Sequence, residues 1–356
     1  MSKHNPDKLH QLIKSLSKPE KRYFKVYTSK QSSDYTAYQI LFDAIDKLKT
    51  PDEEKLLKTL KRKGFDHALP ISKTRLYNVI LKSLDSYHST SSIDAQLKKT
   101  LHCAEILYKK SLYSQSSKLL KSAKKLAYKH DRHTSLLEIF LWEKLLIEKD
   151  NYVNLSDDEI VEMMDENAAT IRKIEAYNDL WGIKSRLFNI LNQQGKARSK
   201  EDLLRLKDIL DETLVKKKKE DLYYQTTYLY NHIYSAYYFG VGDYKSSYKY
   251  LKTNVEHIEN NVDKFKEEPN VYFSILTNVI YIASQLNLYD EVFEYLEKLR
   301  DIPNNMDIRG NEDLEIKLFS SSYSIELTIY FLTGDFRSGM EIIPQVENGL
   351  MLYEHK

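Results

Sequence analysis

The sequence predicts an all-α chain, with a small basic helical domain over residues 1–90 followed by a domain of repeated helical hairpins over residues 91–356. Three observations predict it. Only 9 Gly and 7 Pro punctuate 356 residues, so turns are few and elements are long. Apolar residues keep helical spacing, as Leu56, Leu57 and Leu60 do ahead of Gly64, and no sustained alternation demands a strand. A turn of the form Gly-Asp-aromatic returns at a nearly constant interval in the second half.

Five helices are expected in the first domain, at 5–16, 18–29, 35–49, 51–63 and 72–88. Ser17-x-x-Glu20 and Thr50-x-x-Glu53 read as capping boxes, in which a hydroxyl accepts from an orphan amide while the carboxylate reaches back to the cap. Pro19 and Pro51 fall in first turns, where the missing N–H costs nothing. Gly64 is a helix stop. The Ser/Thr-rich stretch HSTSSID, residues 88–94, suits a boundary between domains. Beyond it the helices lengthen and pair, and Ser156-x-x-Glu159 is a third box.

The recurring turn fixes the pairing. Gly242-Asp243-Tyr244, Asn287-Leu288-Tyr289 and Gly334-Asp335-Phe336 align, with aromatics 45 and 47 residues apart. Tyr113, Tyr152 and Gln194-Gly195-Lys196 keep the same beat loosely. A period of about 40–48 residues marks stacked helix pairs. The Gly or Asn permits a tight turn, and the aromatic is placed to wedge between the two helices. A small residue follows three places on at Ser116, Ser247 and Gly339, where it would admit a neighbouring helix; Val292 departs from this rule.

GDYKSS and GDFRSG resemble the helix-joining half of the tetratricopeptide repeat, which reads roughly Gly-Asp-Tyr-x-x-Ala. The resemblance implies a right-handed α-solenoid over about residues 95–350, with recognisable motif residues in the last three units. The units exceed the family's usual length of about 34, and its Trp-Leu-Gly signature is absent. The segment LSKPEKRYFKVYTS, with LYNVILKSLDSYH, looks like part of an uncharacterised bacterial protein family, which implies no activity.

The first helix of each late pair is polar yet nearly uncharged. Across residues 271–286, Leu276, Val279, Ile280, Ala283 and Leu286 form an apolar stripe. Ser274, Thr277, Asn278, Tyr281, Ser284 and Gln285 form the other face. Between residues 223 and 242 only His232 can carry charge, and across 319–334 only Glu326. In a chain that is 30% charged, such a face is cheap to desolvate. Two readings stand: these helices are sandwiched by neighbours and pair their polar atoms within the array, or they line a groove for a peptide or protein partner. The groove would be built by His232, Thr277, Asn278, Tyr281 and Gln285, through amides for a peptide backbone and tyrosine for area.

Charge divides the chain. Residues 1–130 hold 27 Lys+Arg against 12 Asp+Glu, and residues 131–356 hold 27 against 40. Lys118, Lys121, Lys125 and Lys129 share one helix face, with Lys109, Lys110 and Lys124 nearby in sequence. Lys61, Arg62, Lys73 and Arg75 add to it from a helix–connection–helix segment at 51–88. Such lysines serve as a solvated face, a phosphate-binding stripe for nucleic acid, or a surface for an acidic protein.

Catalytic chemistry finds no support. Cys103 is alone, which excludes an internal disulfide and a multi-Cys zinc site and fits a reducing cytosol. His130 and His133 lack an evident third metal ligand. Asp157, Asp158, Glu159 and Glu162 begin a helix, where the dipole favours acids. FGVGD has neither a preceding strand nor a following Lys-Ser/Thr. KKKKED at 216–221 reads as a basic helix end meeting an acidic start. The N-terminus lacks a signal peptide's apolar core, and the uncharged run 271–288 carries too many polar groups for lipid, so a cytoplasmic protein is expected. The reading is a non-enzymatic interaction module without cofactor or metal, binding protein or peptide through its helical repeat array; the alternative is a nucleic-acid-binding regulator using the basic residues of 1–130.

Overall fold

The structure, a computed structural model, describes residues 7–29, 34–65, 68–153, 155–211, 222–308 and 311–353. All its regular elements are helices, eighteen among the described residues. KKKKED at 216–221 lies outside the described residues. Contacts divide the chain into two units, Met1–Ser111 and Leu112–Lys356, one helix beyond the polar stretch at 88–94.

The first unit contains α1 (Lys8–Ser15), α2 (Lys18–Ser29), α3 (Asp34–Asp46), α4 (Glu53–Arg62), α5 (Leu69–His88) and α6 (Ile93–Lys109). α1 opens at Asp7, whose carboxylate accepts from the amides of Leu9 and His10 at 3.1 and 3.3 Å. The Ser17 box forms: the Ser17 amide donates to Glu20 Oε2 at 2.7 Å, and the Glu20 amide donates to Ser17 Oγ at 3.4 Å. The Thr50 box does not. Asp52 caps α4 instead, accepting from the Lys55 amide at 2.9 Å, and Pro51 stays outside the helix. An aspartate one position before the first turn reaches that amide, so the earlier threonine is not needed. α1 to α5 close over a core in which Phe24 and Phe42 stack at 4.5 Å, among Ile13, Leu41, Ile45, Leu76 and Ile80.

The second unit contains α7 (Tyr113–Lys129), α8 (His133–Lys149), α9 (Asp157–Gln194), α10 (Lys200–Asp211), α11 (Tyr224–Val241), α12 (Tyr244–Glu259), α13 (Val262–Phe265), α14 (Pro269–Gln285), α15 (Tyr289–Arg300), α16 (Ile302–Asn305), α17 (Glu312–Thr333) and α18 (Phe336–Tyr353). Consecutive helices pack as hairpins: α7 on α8, α11 on α12, α14 on α15 and α17 on α18. The second helix of each late pair packs on the first of the next, α12 on α14 and α15 on α17.

The turns explain the recurring sequence. Gly242 and Gly334 adopt φ of +84° and +77°, and Asn287 adopts +58°. Positive φ recurs at Asp131 and Asn151, each at a helix end, and at Gly195, which combines φ +74° with an extended ψ of −148°. Glycine takes it without a Cβ clash, and Asn and Asp tolerate it best among the rest. The aspartate has its own task. Asp243 caps α12 by accepting from the Ser246 amide at 3.0 Å, and Asp335 accepts from the Ser338 amide at 3.2 Å. The expected wedge holds for Tyr244, whose ring lies 6.4 Å from that of Phe239. It fails for Phe336, which is 62% exposed with its ring 6.3 Å from that of Phe331, on a helix with no buried residue among those described. The small position performs as read at Ser247, which is buried and donates from Oγ to the Ser235 carbonyl at 2.9 Å, tying α12 to α11.

Candidate functional site

The site is built by α9, α11, α12 and α14. α11 begins where the Tyr223 amide donates to Thr226 Oγ1 at 2.7 Å, and it ends at Gly242. Its tyrosines make an aromatic ladder, with Tyr230 and Tyr234 rings 4.8 Å apart and Tyr234 5.0 Å from Tyr250 of α12. α9 lies along it and buries Leu180, Ile183 and Leu187. α14 starts at Pro269, and its predicted apolar stripe is buried at Leu276, Val279, Ile280 and Ala283.

A cavity of about 190 Å³ opens where these helices converge. Phe188, Leu191 and Asn192 come from α9, Ser235, Ala236 and Phe239 from α11, and Ser247 and Leu251 from α12. His232, Asn278, Tyr281 and Ile282 complete the lining. None of these side chains is charged apart from whatever proton His232 carries. Burial, reinforced by the nearby Lys184 ammonium, lowers the His232 pKa to about 3, so the imidazole is neutral at physiological pH.

His232 is 4% exposed and sits between two rings, 5.1 Å from Phe188 and 5.4 Å from Tyr228. Its buried Nδ1 has no hydrogen-bond partner among the described residues. A neutral imidazole carries one donor and one acceptor, and leaving either unmet in a low-dielectric site is costly. Asn192 and Asn278 carry carboxamides that also find no partner among the described residues. Tyr281 is 47% exposed at the mouth, its ring edge-on to Phe239 at 6.1 Å.

Three of the five groove residues read from sequence therefore meet at one cavity: His232, Asn278 and Tyr281. The other two do not line it. Thr277 returns its hydroxyl to the carbonyls of Phe273 and Ser274, both at 3.0 Å, and Gln285 is exposed further along α14. Sequence reasoning missed the α9 wall, Phe188, Leu191 and Asn192. The signal was present, because these residues precede Gly195, which keeps the beat of the other turns.

Larger hollows exist, and two of them contain paired charged groups. One of about 880 Å³ in the first unit contains Asp7 and Lys73, paired at 3.0 Å, and His10, whose Nε2 lies 3.1 Å from the Leu48 carbonyl. Another of about 650 Å³ between α7, α8 and α9 contains Lys124, paired with Glu143 at 3.0 Å and Glu166 at 2.8 Å. Lys124 thus holds three helices together and is not part of a free basic stripe.

The remaining basic residues divide in the same way. Lys73 is tied to Asp7, and Lys109 to Glu105 at 2.5 Å. Lys118, Lys121, Lys125 and Lys129 are exposed on α7 and make no ion pair among the described residues. Lys61, Arg62 and Arg75 are exposed in the first unit. Among the described residues no group of three or more His, Cys, Asp or Glu is placed to hold a metal ion, and no helix is long and apolar enough to cross a membrane.

Comparison with protein-family models, with curated proteins and with solved structures finds no match to this chain.

Proposed function

We propose that the second unit is a non-enzymatic binding module that captures a segment of a protein partner at the cavity formed by α9, α11, α12 and α14. The observation that carries this reading is one uncharged cavity lined by His232, whose buried Nδ1 has no hydrogen-bond partner among the described residues, with the solvent-accessible carboxamides of Asn192 and Asn278 beside it. Had these helices been sandwiched with their polar atoms paired inside the array, the buried His232 nitrogen would be satisfied. Amides at the rim suit the backbone of an extended segment, and Tyr281 supplies contact area with a hydroxyl. The hairpins of this unit are read as a right-handed tetratricopeptide-like α-solenoid, with the first helix of each pair facing the bound segment. The protein is read as cytoplasmic.

The test is a random peptide library displayed on phage and panned against the whole protein. Segments are expected to be enriched, and Asn278→Ala with Tyr281→Ala should weaken them at least tenfold while leaving the helical spectrum unchanged. If every enriched segment binds the double variant as well as the parent, the groove is not the binding site.

One observation favours a second reading, a nucleic-acid-binding regulator. The α7 lysines at 118, 121, 125 and 129 are exposed on one helix face and make no ion pair among the described residues, although Lys121 lines a hollow with Glu159 and Glu162. Phosphate attracts such a face by counterion release, with no need for base readout.

A further inference from the structure

We propose that the cavity receives one aromatic side chain of the partner, and that the partner carries carboxylates beside that residue. This rests on the binding reading above and adds the partner's chemistry.

Size comes first. At about 190 Å³ the cavity is a little larger than the roughly 150 Å³ void known to admit benzene in an apolar protein interior. It holds one phenol or indole ring and no second residue. Its walls then select for an uncharged group. Phe188, Leu191, Phe239, Leu251 and Ile282 are apolar, and no lining side chain offers a counter-charge. An ion entering would lose its hydration without compensation. A phenol or indole buries its carbon surface and brings one hydrogen-bonding group to a lining that includes the His232 ring and the Asn192 and Asn278 carboxamides.

The two lysines nearest those aromatic walls supply the second half. Lys184 Nζ lies 5.7 Å from the centre of the Phe188 ring, and Lys196 Nζ lies 4.9 Å from the centre of the Phe239 ring. Both rings are walls of the cavity. Neither amine makes an ion pair among the described residues; Lys196 instead donates to the Tyr244 hydroxyl. A half-buried ammonium without an acid is costly, and burial lowers the Lys184 pKa. A carboxylate brought alongside an inserted aromatic ring relieves both amines. The same two charges repel a basic segment, which gives the site discrimination as well as affinity.

The experiment titrates the whole protein by calorimetry with three blocked tripeptides, Asp-Tyr-Asp, Lys-Tyr-Lys and Asp-Ala-Asp, and uses p-cresol as competitor. Asp-Tyr-Asp is expected to bind at least tenfold more tightly than either other peptide, and p-cresol to displace it. Lys184→Glu combined with Lys196→Glu should reverse the preference between acidic and basic flanks. Asn192→Trp changes an exposed residue at the mouth and should abolish binding without touching the core. Equal affinity for acidic and basic flanks, or an unchanged preference in the double lysine variant, overturns the proposal. If library-selected segments depend on the cavity, being lost in Asn192→Trp, yet lack an aromatic residue beside an acid, the binding reading stands and this one falls. If the tripeptides fail and no selected segment responds to Asn192→Trp, both fall.

Discussion

Two histidines show how single residues tie this protein's stability to pH. His232 and His133 are both buried, and His133 leaves both ring nitrogens without partners while its ring meets Tyr223 edge-on at 4.4 Å. Burial lowers the His133 pKa to about 4, assisted by Lys173 and Lys264 and opposed by Asp131. An unfolded histidine titrates near 6.5. Above that value neither state binds the proton and these residues add no slope. Below it the unfolded chain takes up protons that the folded chain refuses, so stability falls as pH drops, down to about 4 for His133 and about 3 for His232. Between pH 7 and pH 5 each histidine is expected to cost on the order of 2 kcal/mol. His133→Phe keeps a ring against Tyr223 and removes the titrating group. Urea unfolding at the two pH values should show the loss reduced by about that amount in the variant. An unchanged acid limb would mean that His133 is protonated in the folded protein.

At the scale of the element, the pattern of the turns repeats while its occupants differ. Gly242 sits at φ +84° with nothing near a Cβ, so the cost of a substitution there is conformational and not steric. Gly242→Ala is expected to destabilise by about 1–2 kcal/mol, since a Cβ penalises the left-handed region. Gly242→Asn should cost about half as much, because asparagine already occupies the matching turn at Asn287. Denaturation midpoints of the two variants decide this; an alanine variant as stable as the parent would show that the turn relaxes to another conformation. These turns were the legible part of the fold, because left-handed backbone restricts residue choice strongly. The helix starts were legible for the same local reason, at Ser17 and Ser156, and were misread where Asp52 competed with Thr50 and where the helix expected from 72 begins at Leu69. The site was half legible. Absence of charge singled out His232, Asn278 and Tyr281, but a helical wheel cannot tell that Thr277 bonds its own backbone or that α9 supplies the opposite wall. Nor can spacing reveal that Lys73 and Lys124 are tied to acids distant in sequence.

Over the whole molecule, charge follows the two units. Residues 1–111 hold 22 Lys+Arg against 12 Asp+Glu, and residues 112–356 hold 32 against 40. The unpaired α7 lysines therefore belong to a unit that is acidic in total. Their attraction for phosphate is local: beyond about 10 Å at ordinary ionic strength it is screened, and the acidic remainder of the unit opposes it. If nucleic acid binds this protein through α7, about four phosphates are engaged, and the logarithm of the association constant should fall with the logarithm of salt concentration with a slope near −4. Should Lys61, Arg62 and Arg75 of the first unit engage as well, the slope should be close to twice as steep. Fluorescence anisotropy with a labelled duplex, from about 20 to 200 mM salt, separates these cases. Lys118→Glu, Lys121→Glu and Lys125→Glu together should abolish binding in the first case and leave a shallower slope in the second. Absence of any association at the lowest salt removes the nucleic-acid reading altogether. The cavity would then be the remaining candidate for contact with a partner, and salt should weaken only the part of its affinity carried by Lys184 and Lys196, leaving the part that comes from buried surface.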